Sequence, residues 1–95
     1  MSDFKSLDPL LHSQLRLAVM SFLLAARSAD FVTIKEKTQA TAGNLSVQLD
    51  KLEQAGYIKL KKSFKGKRPL TTCTITKKGV LAFERYVEAL KGYIE

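Results

Sequence analysis

Residues 41–58 read TAGNLSVQLDKLEQAGYI, and this stretch decides the fold. Thr41 has the side chain of a helix N-cap, whose hydroxyl accepts a free backbone N–H of the first turn. Leu45, Leu49, Leu52 and Ala55 follow at spacings of 4, 3 and 3, which places them on one face of a helix. Gly56 supplies the left-handed position that ends it. Tyr57-Ile58-Lys59-Leu60-Lys61 then alternates apolar and basic residues, the pattern of a strand with one buried face.

Working toward the N-terminus, Thr33-Ile34-Lys35-Glu36 matches a capping box and predicts a short helix ending near Gln39 or Ala40. Phe31-Val32 is expected as a two-residue extended piece, with Ser28-Ala29-Asp30 breaking the helix before it. Asp8-Pro9 is the expected start of that first helix, carboxylate at the N-cap and proline at the first helical position. Leu11, Leu15, Ala18, Val19, Phe22, Leu23 and Ala26 carry it at helical spacing to about Arg27. Leu10, Leu17, Met20 and Leu24 make it apolar on a second face as well, and that surplus needs cover from something other than its own core.

Working toward the C-terminus, a hairpin tip is expected at Lys65-Gly66-Lys67-Arg68-Pro69. Leu70, Cys73 and Ile75 lie in a threonine-rich return strand. Thr76 caps a last helix from Lys77 to near the C-terminus. Along it Val80, Phe83, Val87, Leu90 and Ile94 are spaced 3, 4, 3 and 4, a seam suited to helix-to-helix packing, with Tyr86 and Tyr93 as a flanking row. The expected order is α-β-α-α-β-β-α: a mainly α, α+β winged helix-turn-helix occupying residues 1–95 as a single domain. Its helix-turn-helix spans about 33–56, its wing about 57–75 and its C-terminal helix about 77–94.

The 95-residue chain carries a formal charge of +7. Eight basic residues and no acidic ones lie between Lys59 and Lys78, which leaves the rest of the chain at −1. Positive charge concentrated in this way suits a phosphate-facing surface better than general solubility. Six of the ten residues from Lys59 to Arg68 are basic, more than an edge strand needs to discourage aggregation. A helix pair followed by a basic ribbon presents one helix to the major groove of duplex DNA and one arm to the neighbouring phosphates.

The expected DNA-facing residues of the second helix of the pair are Thr41, Gly43, Asn44, Ser46, Val47, Gln48 and Lys51, on the side opposite the leucines. Asn or Gln can bond an adenine edge bidentately, Ser reads more loosely, and Gly43 lets the backbone come close. An ordinary solvated helix face is the plainer reading of each of them taken singly. In the wing, Lys62, Lys65, Lys67 and Arg68 are expected on phosphates or in the minor groove, with Arg68 stiffened by Pro69. The terminal helices suggest a homodimer, with Leu10, Leu17, Val80, Phe83, Val87, Leu90 and Ile94 at the interface.

From Pro9 to about Tyr86 the chain resembles the winged-helix domains of prokaryotic transcription regulators of the broad MarR and ArsR group. Residues 41–58 look like that group's recognition helix and its turn into the wing, and Ile75-Thr76-Lys77-Lys78-Gly79 looks like the junction into its final helix. The resemblance implies a sequence-specific, double-stranded DNA-binding regulator, expected to act as a repressor. The chain departs from the metal-sensing members in having no paired cysteines or histidines.

A protein-docking winged helix and a nonspecific architectural DNA-binding protein are the alternatives. Against the first, the outer face of the second helix is polar and the wing is basic. Comparison of binding to random duplex and to the protein's own upstream region, at matched salt, separates the second. No nucleophile with a base, paired carboxylates or phosphate-binding loop is present, so no enzyme activity and no cofactor are expected. His12 has no second ligand at metal spacing, and no metal is expected. Cys73 stands alone and reads as a small buried residue of a cytoplasmic protein. The longest apolar run, Leu17 to Ala26, is too short to span a bilayer, which takes roughly 20 residues, so no membrane partner is expected. Nothing in the sequence names a small-molecule effector.

Overall fold

Leu45, Leu49 and Leu52 are buried against Ile34, Leu11, Val19, Met20 and Leu23, and this cluster organises the rest of the chain. The computed structural model describes residues 4–95. In order it contains α1 (Gln14–Ala26), β1 (Ser28–Asp30), α2 (Phe31–Thr38), α3 (Ala42–Gln54), β2 (Ile58–Lys65), β3 (Arg68–Ile75) and α4 (Lys77–Ile94). The three strands form one antiparallel sheet in the order β1-β3-β2. This is the expected winged-helix α+β order.

α3 follows its local signals closely. Thr41 Oγ1 accepts the Asn44 N–H at 3.2 Å. At the other end Gly56 has φ +81°, Tyr57 N–H bonds Leu52 C=O at 3.0 Å and Gly56 N–H bonds Glu53 C=O at 2.9 Å. This pair of bonds is a Schellman ending, which satisfies carbonyls the helix leaves free. It also turns the chain straight into β2.

Four sequence expectations are corrected. The first helix begins at Gln14, not at Pro9. Asp8 does accept an N–H, from Leu10 at 2.9 Å, but it caps a separate turn whose Leu11 and His12 N–H groups bond the Asp8 carbonyl. That turn buries Leu11 and frees the other carboxylate oxygen to accept the Tyr57 hydroxyl at 2.6 Å. Second, α2 is capped by Asp30, which accepts the Thr33 N–H at 2.7 Å. That bond, helped by the Thr33 hydroxyl, holds the Asp30 carboxyl below its ordinary range. Aspartate is at least as good a cap as threonine, so the helix starts two residues before the expected capping box and Phe31-Val32 are helical.

Third, Ser28–Asp30 do end the first helix, but they are themselves the extended piece expected at Phe31-Val32, a strand paired with Thr74, Cys73 and Thr72. Arg27, at φ 70°, makes the turn out of α1 that permits it. Fourth, the wholly packed face of α4 is Gly79, Tyr86 and Ala89, so Tyr86 belongs to the core face rather than to a flanking row. A Cβ at position 79 would run into the Tyr57 carbonyl oxygen, and the Tyr86 hydroxyl meets His12 Nδ1 at 2.9 Å. These two contacts fix the rotation of the helix. The expected seam then falls to one side. Val80, Phe83 and Leu90 are half-buried against the core, while Val87 is 37% and Ile94 75% exposed. Leu10 and Leu17 are also half-buried against the core.

The hairpin is longer than the alternating stretch suggests. β2 and β3 stay in register from Ile58↔Ile75 to Lys65↔Arg68, leaving Gly66-Lys67 as a two-residue turn. Gly66 has φ +65°, which a hairpin of this kind asks of its first turn residue. Pro69 is tolerated in the central strand because β1 pairs only as far as Thr72 and does not reach it.

Candidate nucleic-acid interface

The leucine face of α3 is buried, which leaves Gly43, Asn44, Ser46, Val47 and Lys51 exposed on the outside, with Thr41 at the cap and Gln48 half-buried. A Cβ at Gly43 would meet nothing within 4 Å, so no contact inside the chain demands a glycine there. Thr41 uses its hydroxyl oxygen on the Asn44 N–H.

Gln48 and Asn44 are tied together. Gln48 Nε2 donates to Asn44 Oδ1 at 3.0 Å, and Gln48 Oε1 accepts from the guanidinium of Arg16 on α1. Arg16 Nε in turn donates to the Leu10 carbonyl at 2.6 Å. The first turns of α3 are thus connected through side chains to the turn that precedes α1. Sequence reasoning does not single out Arg16, although it is the one arginine or lysine between Leu10 and Ala26.

In a hairpin, directly paired residues share a face and successive residues alternate. The register therefore puts Lys62 and Phe64 on the same side as Ile58 and Leu60, the core-facing side, while Lys59, Lys61, Lys65 and Arg68 point the other way. Lys62 borders a cavity of about 290 Å³ between the wing and α3, with Ser46, Leu49, Asp50 and Leu60 among its other walls. Lys67 sits in the turn. All four expected wing cations are exposed. Among the described residues the one salt bridge is Lys91 to Glu88 at 3.7 Å, so no wing cation forms one, although the charge of Lys65 helps to lower the Asp30 carboxyl.

Phe64, 73% exposed and paired with Pro69, makes the hairpin tip apolar as well as basic. Extending the alternation past Lys61 places it on the Leu60 side from sequence alone. The free edge of β2 is partly satisfied where Glu53 accepts the Leu60 N–H at 2.9 Å. Cys73 is fully buried, and that burial pushes its thiol up to about 11, so it is held as the neutral, unreactive form. Among the described residues no helix is long and apolar enough to cross a membrane.

Residues 15–94 match the family model described as a winged helix DNA-binding domain. An uncharacterised protein of Methanocaldococcus jannaschii is 37% identical over 76 residues, which cover 80% of this chain and 83% of that one. A transcriptional regulator homologue from Pyrococcus horikoshii OT3 superposes with a TM-score of 0.83 at 35% identity, over 90% of this chain and 84% of its own. Reduced AbfR, solved bound to DNA, superposes with a TM-score of 0.70 at 25% identity, over 80% of this chain and 52% of its own. A cap, a leucine-faced helix and a cationic hairpin in this order, matched over most of the chain, show that the protein belongs to the winged helix DNA-binding domain family of transcription regulators, whose fold the MarR-type regulators share.

Proposed function

We propose that this protein is a sequence-specific regulator that binds double-stranded DNA as a homodimer, with α3 in the major groove and the wing on phosphates and the minor groove. The observation that carries this reading is the pairing of two unlike surfaces. The outer face of α3 is polar apart from Val47, and beside it stands a hairpin whose exposed cations form no salt bridge among the described residues. The former suits base edges and the latter suits phosphates.

A monomer on one half-site makes few phosphate contacts, whereas two copies about a two-fold axis address half-sites about one DNA turn apart. The exposed Val87 and Ile94, continuous with the half-buried Val80, Phe83 and Leu90, support α4 as the contact between copies. Repression is the proposed outcome, because occupying a site and excluding other proteins is what a DNA-binding unit does unaided.

Selection from a random duplex library, followed by titration of selected and random duplexes at matched salt, tests the reading. The expected result is an enriched sequence bound about a thousand-fold or more tighter than random DNA. Equal affinity for all duplexes would instead establish an architectural protein, and no affinity for DNA at all would favour docking to protein.

A further inference from the structure

We propose that Arg16 and Gln48 are positioning residues that fix the polarity of the Asn44 amide, so that Asn44 presents a donor to the major groove and selects guanine. This inference rests on α3 being the reading helix. Its root is a chemical asymmetry. A guanidinium only donates hydrogen bonds, so the atom of Gln48 that faces Arg16 must be the carbonyl oxygen. The amide nitrogen of Gln48 then faces Asn44, and the group meeting it at 3.0 Å must be the acceptor, Oδ1. What remains to point outward is the Asn44 –NH₂.

Arg16 is itself held, half-buried, with its Nε on the Leu10 carbonyl, so the root does not rotate freely. Thr41 fixes the Asn44 backbone N–H from the other side. Asn44 is exposed in the first turn of α3, where recognition helices meet base edges.

An asparagine free to turn pairs with adenine through one outward donor and one outward acceptor, bonding N7 and N6 together. Here the acceptor is turned inward. Guanine offers two adjacent acceptors, N7 and O6, and suits an amide that shows only N–H groups. Gln48, with its oxygen on Arg16 and its nitrogen on Asn44, does not itself contact a base.

Site selection with the wild type and with Asn44→Ala, Gln48→Glu, Arg16→Lys and Arg16→Met tests this, with thermal melts to confirm folding. The position whose preference disappears in Asn44→Ala is expected to be guanine in the wild type. Replacing that guanine with 7-deazaguanine should weaken wild-type binding about ten-fold and leave Asn44→Ala unaffected. Arg16→Lys keeps a donor-only head and should keep guanine. Arg16→Met removes the root and should let adenine in. Gln48→Glu puts an acceptor-only group beside both partners and turns the Asn44 oxygen outward, so sensitivity to 7-deazaguanine should vanish. Should Arg16→Met fail to fold, Gln48→Glu carries the test alone. Adenine at the Asn44-dependent position of the wild type overturns the relay, as does a guanine preference untouched in folded Gln48→Glu. A wild type that enriches no sequence overturns the sequence-specific reading and the relay with it.

Discussion

α3 and the wing are neighbours whose polar side chains are arranged in opposite ways. The polar groups at the start of α3 are already hydrogen-bonded to one another and, through Arg16, to the preceding turn. Among the described residues the wing cations form no salt bridge, and they stand exposed on a two-stranded ribbon. Exchanging one hydrogen-bond partner for another yields little net free energy, typically about 1 kcal/mol, so under the proposed function α3 would discriminate more than hold. Exposed cations gain from releasing the counterions of DNA, at the entropic cost of ordering long side chains, so under the proposed function the wing would hold and not discriminate. Two kinds of variant should therefore leave two different signatures.

The largest effect is expected where both regions are halved at once. Val87→Asp together with Ile94→Asp places charge on the exposed flank of α4 and spares its core face. The subunits should separate, and affinity for a two-half-site duplex should fall by about 10²- to 10⁴-fold, the loss of linked binding, without any change to a DNA-facing residue. Leu90 is a poorer target, because it also packs on the chain's own core. Sedimentation equilibrium decides the matter: a wild type that stays monomeric at micromolar concentration, with and without DNA, ends the dimer proposal.

Next in size is the wing. Replacing Lys65, Lys67 and Arg68 by alanine should lower affinity about a hundred-fold at physiological salt. The log–log salt dependence should flatten by roughly 0.9 for each phosphate that the variant no longer neutralises. The loss should be the same on selected and random duplexes, unlike the base-dependent loss expected from Asn44→Ala. An unchanged slope would take the wing out of the interface and collapse the contrast between the two regions.

What can be read in the sequence follows from how local each determinant is. The cap Thr41, the leucine spacing and Gly56 act within α3 itself, and its ends fall where they indicate. The start of α1 is misread because Asp8, an apparent cap, is shared with a tyrosine 49 residues away. The face of α4 is misread because a carbonyl at Tyr57 and a ring at His12 choose it, and neither is visible in a helical periodicity. Asn44 and Gln48 can be nominated as candidates from their place on the helix. Their mutual bond and the Arg16 anchor, 32 residues from Gln48, cannot, because an arginine on an apolar helix reads simply as its polar side.

The smallest effect sharpens the comparison by altering no candidate DNA-facing side chain of either region. Tyr57 donates its hydroxyl to Asp8 at 2.6 Å, joining the turn before α1 to the entrance of the wing. Tyr57→Phe should lower stability by about 1 kcal/mol at neutral pH and leave both the salt slope and base preference unchanged. The bond to Asp8, reinforced by burial, pushes the phenol from its ordinary 10 up to about 12. A raised pKa in the folded state means that the folded chain holds this proton where the unfolded chain has lost it. The contribution is whole below pH 10 and disappears as pH climbs to 12, so stability falls with pH across that window. Urea midpoints of wild type and Tyr57→Phe should converge over the same interval, since the variant has no proton to lose there. A gap that stays constant from pH 9 to pH 12 would mean that packing of the ring, not the Asp8 bond, distinguishes the two proteins.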